Sequence, residues 1–344
     1  MQFSAGIRAQ PAALARSATS VQAAVAQLPA PRAGEVVALV GIGASEHIAR
    51  GAAREWREAG LRAFAVSAAE VTAADARAAD LYVAISESGR STETVQAVQA
   101  LDGRPTVAVV NAPDSPLARA CDAVLLLDSG PDSPVYTTGY TASLQALGVL
   151  GECWTDRRGA WSGLPALAER VLADAGPVVE AVAPAVDAAQ VVDVIAAGTA
   201  TATAGEGALL LRESARLLTA AHETRNYLHG PMEPLDGQVA CLLAGSGREV
   251  RLARDVAALG CPTVLLTTDP DVVGAGSLTV LRLPRAHSSL AQAVLEILPL
   301  QLLAEAVAGR RGLAVDGFRH RQQDTKTPEP TPKPTPEATA DGGR

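Results

Sequence analysis

The stretch Asp80-Leu81-Tyr82-Val83-Ala84-Ile85-Ser86-Glu87-Ser88-Gly89-Arg90-Ser91-Thr92 changes character at its midpoint. Residues 80–85 form a short apolar run, as in a strand buried on both faces, and a helix is expected over 91–101. A strand, a turn of small residues and a helix make up the repeating unit of a parallel α/β sheet, whose ligands bind beyond the carboxyl ends of the strands. One serine in such a turn would be an ordinary helix N-cap. Three serine hydroxyls in six residues, with Gly89 and Thr92 beside them, exceed that need. They suit an anion cradle in which hydroxyls and the free N–H groups of the helix start meet phosphate oxygens.

Working outward, strands are expected at 36–41, 62–66, 105–110 and 122–127, with a helix over 46–60. Apolar-periodic helices at 136–151 and 164–182 lead into a second half. There a strand at 191–197 precedes a helix over 205–221. A strand at 239–244 runs into Gly245-Ser246-Gly247-Arg248 and a helix, followed by strands at 262–267 and 277–282 and a long apolar helix over 289–308. The same order twice over predicts an α/β fold of two doubly wound lobes with parallel sheets and flanking helices. From Thr327 the sequence Thr-Pro-Glu-Pro-Thr-Pro-Lys-Pro places proline at nearly every second position, which predicts a disordered, polyproline-like tail.

The chain has 344 residues, is 48% hydrophobic and carries a net charge of −8. Its length suffices for two cores, and its charge argues against a nucleic-acid or anionic-membrane partner. Aromatic residues make up only 3%, so alanine, valine and leucine must build those cores. Cys121, Cys153, Cys241 and Cys261 form no CxxC pair and read as buried reduced thiols of a cytoplasmic protein. Neither a signal sequence nor an uncharged membrane-length run is present. Of 29 basic residues only Lys326 and Lys333 are lysines, which narrows any lysine chemistry to these two.

Gly41-Ile42-Gly43-Ala44-Ser45-Glu46 is the other strand-end turn of the first half. Glu46 stands where a dinucleotide fingerprint needs its third glycine, so a nicotinamide site is disfavoured, and no Walker A sequence exists. Glu213 lies within an Ala/Leu-rich helix and His229 precedes Gly230-Pro231 at a rigid turn; by themselves these read first as a solvated helix-face carboxylate and a turn residue bonded to backbone. No His/Cys/Asp/Glu spacing suggests a metal, and no cofactor is implied.

Together these stretches resemble the sugar isomerase (SIS) family in its two-lobe, flavodoxin-like form. Ser86–Ser91 is similar to the family's phosphate loop, usually Ser-Gln-Ser-Gly-Glu-Thr, and Gly41–Ser45 to its first substrate loop. Thr137-Thr138-Gly139-Tyr140-Thr141 resembles a Thr-Lys-x-Tyr-Thr helix start. Gly207–Glu213, with His229-Gly230-Pro231 sixteen residues beyond Glu213, resembles the family's Glu and His segments. Ile7-Arg8-Ala9-Gln10-Pro11 and Pro299–Ala304 match its leading and closing signatures. The expected division is an N-terminal helical segment (1–30), a first SIS lobe (31–160), connecting helices (161–185), a second lobe (186–312), a C-terminal site segment (313–326) and a tail (327–344).

The resemblance implies an aldose–ketose isomerase or amino-sugar-phosphate deaminase, acting on a hexose or hexosamine phosphate through an enediol or enolamine. Ser86, Ser88 and Ser91 would hold the phosphate, and Ser45 and Glu87 the sugar hydroxyls. Glu213 would be the base between C1 and C2, and His229 would assist ring opening, in some relatives from the neighbouring subunit of a homodimer. Direct register puts Gln323 where the family's ring-opening lysine stands, so Lys326 substitutes for it only across a three-residue insertion; His320 is nearby. Asn226 replaces a common Glu, and Thr138-Gly139 the Lys. With no glutaminase half, glutamine hydrolysis is not expected. The competing expectation is a sugar-phosphate sensor that binds without turnover.

Overall fold

The computed structural model describes residues 1–101, 103–315, 317–320 and 322–328. Positions 329–344, most of the stretch expected to form the proline-rich tail, lie outside the described residues. The chain opens with helix α1 (Phe3–Ala24) and then alternates strand and helix: β1 (Val36–Gly41), α2 (Ala44–Glu58), β2 (Arg62–Ser67), β3 (Leu81–Ile85), α3 (Thr92–Ala100), β4 (Thr106–Val110), α4 (Pro116–Ala120) and β5 (Ala123–Leu126). Two long helices, α5 (Thr138–Trp154) and α6 (Leu164–Ala188), lead to the second half. This contains β6 (Val191–Ala196), α7 (Thr201–Ala215), β7 (Thr219–Glu223), α8 (Thr224–Tyr227), β8 (Val239–Ala244), α9 (Arg248–Ala258), β9 (Thr263–Thr267), β10 (Leu278–Arg282) and α10 (Ser289–Arg310).

Among the described residues there are two five-stranded parallel sheets, ordered β2-β1-β3-β4-β5 and β10-β9-β8-β6-β7. Renumbered within its own half, the second order is the mirror listing of the first, so both lobes share the doubly wound 2-1-3-4-5 arrangement. In that arrangement the chain reverses direction across the sheet between the first and third strands, leaving a crevice at their carboxyl ends. The registers Val37↔Leu81 and Val192↔Ala240 set the pairs that flank the two crevices.

All five residues of β3, β4 and β9 and all six of β8 are buried, as expected of strands covered on both faces. One hydrophobic cluster runs through both lobes, joining Ile48 and Trp56 of α2 and Leu144 and Leu147 of α5 to Leu210 of α7 and Leu298 of α10. Each fully buried Leu, Ile or Val adds roughly 1.5–3 kcal/mol of transfer free energy. α10 is the one described helix long and apolar enough to cross a membrane, but 78% of its apolar window is buried within the protein. It is a core helix.

Two expectations need correction. The helix expected over 205–221 ends at Ala215, because Arg216 adopts a left-handed conformation (φ 55°), and Thr219–Glu223 then forms an edge strand beside β6. Its Thr-Ala-Ala-His-Glu composition lacks the β-branched run that marks a strand, and pairing with β6 overrides this. The four cysteines are free thiols, yet only Cys241 and Cys261 are buried. Cys153 is exposed, on the last turn of α5 where that helix leaves the core.

Candidate functional site

The loops after β1 and β3 flank the crevice of the first sheet. Ser45 lies buried in the first turn of α2, its N–H bonded to Ile42 O at 3.2 Å. After β3, Ser86 is buried and its hydroxyl donates to Ser91 Oγ at 3.1 Å. Ser91 occupies the N-cap position of α3, but its side chain caps no helix N–H. Capping therefore does not account for this serine. Gly89 sits at φ +61°, and a Cβ there would come within 2.0 Å of Ser115 Oγ, so only glycine lets the loop close against the start of α4. The N–H of Leu117 then bonds Gly89 O at 3.0 Å, and that of Asn111 bonds Glu87 O at 2.8 Å.

Glu87 points into the crevice. Its carboxyl accepts from Asn111 Nδ2 at 3.0 Å, and burial, reinforced by the charge of Asp132, pushes its pKa up to about 7. Asp132 is fixed by the start of α5, accepting the N–H of Gly139 at 2.7 Å and the Thr137 hydroxyl at 2.5 Å. Beside it, Tyr136 has its hydroxyl pKa raised by burial first and by the charges of Glu87, Asp132 and Glu213.

Glu213 reaches this neighbourhood from the other lobe. It is half-buried near the end of α7, and desolvation pushes its pKa up to about 7. Its charge acts on Tyr136 and on Glu206, two turns earlier on α7, whose buried carboxyl has one oxygen without a hydrogen-bond partner. A carboxyl poised near neutrality can take a proton and return it.

The C-terminal segment closes the third side. Lys326 forms an antiparallel bridge with Ser91, and its ammonium donates to Ser88 Oγ and Tyr136 Oη, each at 3.2 Å. Ser86, Glu87, Ser88, Ser91 and Lys326 are thus brought together around the first sheet's crevice, with Ser45 on the adjoining loop and Glu213 within electrostatic reach. His229 is not. It lies exposed on the turn after α8, its backbone N–H bonded to Asn226 O at 3.0 Å, with no side-chain hydrogen bond among the described residues. His320 is exposed as well.

Sequence reasoning missed Tyr136, Asp132 and Asn111. Asn111 directly follows β4, at the carboxyl end where ligand residues gather, and that position was a usable signal. Tyr136 was absorbed into the helix expected from 136, although in so aromatic-poor a chain a tyrosine just ahead of a helix start was conspicuous.

The second lobe repeats the crevice but fills it. Glu249, in the first turn of α9 and 5% exposed, accepts the Thr224 hydroxyl at 2.6 Å and the Gly247 N–H at 3.3 Å. Its carboxylate sits at the helix start where an external anion would otherwise be favoured.

Residues 35–151 match the family model described as the SIS domain. A glutamine–fructose-6-phosphate aminotransferase (isomerizing) from Bradyrhizobium diazoefficiens is 32% identical over 268 residues, and one from Thermus thermophilus is 30% identical over 261. These alignments cover 71% and 70% of this chain, which spans only 43% of each relative's length. Among solved structures, a glucosamine-6-phosphate deaminase from Thermotoga maritima superposes with a TM-score of 0.80 at 19% identity, covering 94% of this chain and 98% of that one. A tagatose-6-phosphate ketose/aldose isomerase from Escherichia coli gives 0.76 at 18% identity, covering 94% and 97%. These likenesses establish the two-lobe fold, and the matched segment contains the Ser86–Ser91 loop. Residues 35–151 of the chain are a SIS domain.

Proposed function

We propose that this protein binds a phosphorylated sugar or amino sugar in the crevice of its first lobe and moves a proton between C1 and C2, as an aldose–ketose isomerase or an amino-sugar-phosphate deaminase. The observation that carries the reading is Glu213, a carboxyl poised near neutral pH on one lobe whose charge acts on Tyr136, the residue that shares the Lys326 ammonium with Ser88 on the other. In the reaction Glu213 takes the proton from one carbon of the pair and returns it to its neighbour through an enediol or enolamine. Ser86, Ser88, Ser91 and the helix start of α3 hold the phosphate, while Ser45 and Glu87 meet the sugar hydroxyls. In a deaminase the C2 nitrogen leaves as ammonia and water supplies the oxygen. The relatives' names, which concern fructose-6-phosphate, glucosamine-6-phosphate and tagatose-6-phosphate, support hexose and hexosamine 6-phosphates as the substrates to try.

His229 completes the reading only across a homodimer. Its exposed position on the second lobe suits a residue lent to the site of a neighbouring subunit, where it would assist ring opening in a cytoplasmic enzyme. The same exposure favours the second reading, a sensor that binds without turnover.

The test is to incubate the purified protein with glucosamine-6-phosphate and with fructose-6-phosphate, following ammonia and aldose separately. Ammonia release identifies the deaminase, and aldose without ammonia the isomerase. Tight binding of either sugar phosphate with no turnover of any hexose or hexosamine phosphate would leave the sensor.

A further inference from the structure

Lys326 is attached to the phosphate loop by more than its side chain. Thr92 donates its N–H to Thr325 O at 3.3 Å, and Thr327 donates its N–H to Arg90 O at 2.8 Å. The Arg90 guanidinium donates back to Thr327 O at 3.0 Å, and the Thr327 hydroxyl to Arg90 O at 3.2 Å. The segment is therefore a short strap paired antiparallel to the loop, which fixes the stem of Lys326 over Ser91. Much of the residue is exposed to solvent, yet enough protein surrounds its ammonium that desolvation lowers its pKa.

That ammonium touches two hydroxyls, Ser88 Oγ and Tyr136 Oη, and lies 5.8 Å from the centroid of the Tyr136 ring. Among the described residues no carboxylate oxygen lies within ion-pair distance of it. Glu87 and Glu93 act on it only at longer range, and Glu87 is itself half-protonated near neutrality. A cation held between a serine and a tyrosine hydroxyl, with no ion-pair partner among the described residues, is a site for an incoming anion. The start of α3 adds donors. The first N–H groups of a helix have no intrahelical acceptor. Here Thr325 takes that of Thr92 and Ser91 that of Val95, which leaves the N–H groups of Glu93 and Thr94.

We propose that Lys326 is the counter-ion of the substrate's phosphate rather than the group that opens its ring, and that bound phosphate latches the 325–327 strap onto the loop. The inference rests on the phosphosugar reading above and narrows it. In a hexose 6-phosphate the phosphate and the reacting C1–C2 pair lie at opposite ends of the carbon chain. An ammonium anchored at Ser88 serves the first end and not the second. Ring opening then falls to another group, and bound phosphate adds a charge-assisted tie to a strap that already pairs with the loop, so that sugars without it leave the third wall of the site held by its backbone pairing alone.

The full chain and its Lys326→Gln and Lys326→Arg variants are titrated calorimetrically with inorganic phosphate, assayed with the active sugar phosphate, and followed by hydrogen exchange over 322–328 with and without inorganic phosphate. Lys326→Gln is expected to weaken phosphate binding about tenfold or more, a loss of roughly 1.4 kcal/mol. It should raise KM while leaving kcat within a few-fold, and Lys326→Arg should restore most of the affinity. In the unaltered protein phosphate should slow exchange at Thr325–Thr327, and in Lys326→Gln it should not. Unchanged phosphate affinity in Lys326→Gln overturns the proposal, as does a collapse of kcat at constant KM, which would make Lys326 part of the chemistry while the enzymatic reading stands. Lysine-dependent phosphate binding in a protein that turns over no sugar phosphate would leave this inference standing and remove the enzymatic one. No binding of either phosphate or sugar phosphate would remove both.

Discussion

Gly139 faces Glu87 so closely that a Cβ on it would come within 2.3 Å of Glu87 Cγ and 2.9 Å of Asp132 Oδ2. The missing side chain is what lets the Glu87 carboxyl lie against the start of α5, where burial and Asp132 raise its pKa. In the Thr-Lys-x-Tyr-Thr segment of the resembling family this stretch carries a lysine; here Thr138-Gly139 makes room for an acid instead.

Gly139→Ala should therefore force Glu87 out of its recess and disturb the Asp132 contact with the Gly139 N–H. Overpacking of this kind costs about 1–3 kcal/mol. Denaturant unfolding should show that loss, and turnover should fall with it. Gly163→Ala is the control, since nothing lies within 4 Å of the position its Cβ would take. Equal effects at the two sites would mean that Glu87 does not depend on the gap.

The pH dependence should expose the base. Glu213 must be ionised to accept a proton, and its pKa stands at about 7, so kcat/KM should rise as pH increases through neutrality. Glu87 also titrates at about 7, and the two contributions overlap. Glu213→Gln should lose roughly 10²–10⁴-fold in kcat, the usual contribution of a general base. Glu87→Gln should keep the rising limb with a weaker KM. A Glu87 variant that abolishes the limb, beside a Glu213 variant that keeps its rate, would exchange the two roles.

Much of this site was legible because its elements announce themselves locally. The apolar run at 80–85 and the serines after it fix a strand and a loop by composition alone, and α3 follows from the same pattern. Glu213 and His229 were singled out only through a resemblance, because a carboxylate on an Ala/Leu helix and a histidine before Gly-Pro carry no local signal of chemistry, and of the two only Glu213 comes within electrostatic reach of the first crevice. β7 and Tyr136 were misread for one reason. The residues 216–223 and 136 each sit where a helix pattern meets another element, and tertiary pairing or capping rather than propensity sets the boundary. The contact of Lys326 with Ser88 joins residues 238 positions apart, beyond any pattern of spacing.

Stability should fall as pH rises, in a defined window. Glu296 of α10 is 6% exposed and accepts the Thr203 hydroxyl at 3.0 Å; burial, with the charge of Glu249, pushes its pKa up to about 7. A carboxyl raised in the folded state binds its proton more tightly there than in the unfolded chain. Its contribution is therefore lost between about pH 4.5 and 7. Glu87 and Glu213 act in the same sense. Glu296→Gln mimics the protonated acid, so it should be near-neutral at pH 5 and stabilising at pH 8, on the order of 1–3 kcal/mol. Urea unfolding at the two pH values checks this. A variant less stable than the parent at pH 8 would mean that the ionised carboxylate is held by partners stronger than Thr203.

Glu249 offers the sharpest comparison between the lobes, because it does for the second crevice what an external phosphate is proposed to do for the first. From the first turn of α9 it accepts the Gly247 N–H of its own helix start and the Thr224 hydroxyl at the start of α8. Glu249→Ala would leave the buried Thr224 hydroxyl, and the more exposed Gly247 N–H, without that acceptor, a loss of about 1–3 kcal/mol. It would also open an anion-sized space at a helix start whose dipole favours negative charge. Inorganic phosphate should then bind with a stoichiometry approaching two per chain, against one for the unaltered protein, and should recover part of the lost thermal midpoint. Glu249→Gln, which keeps an acceptor oxygen, should show neither change. If Glu249→Ala were as stable as the parent and bound a single phosphate, the carboxylate would not be the internal anion of the second lobe, and the difference between the two crevices would have to lie in the loops themselves.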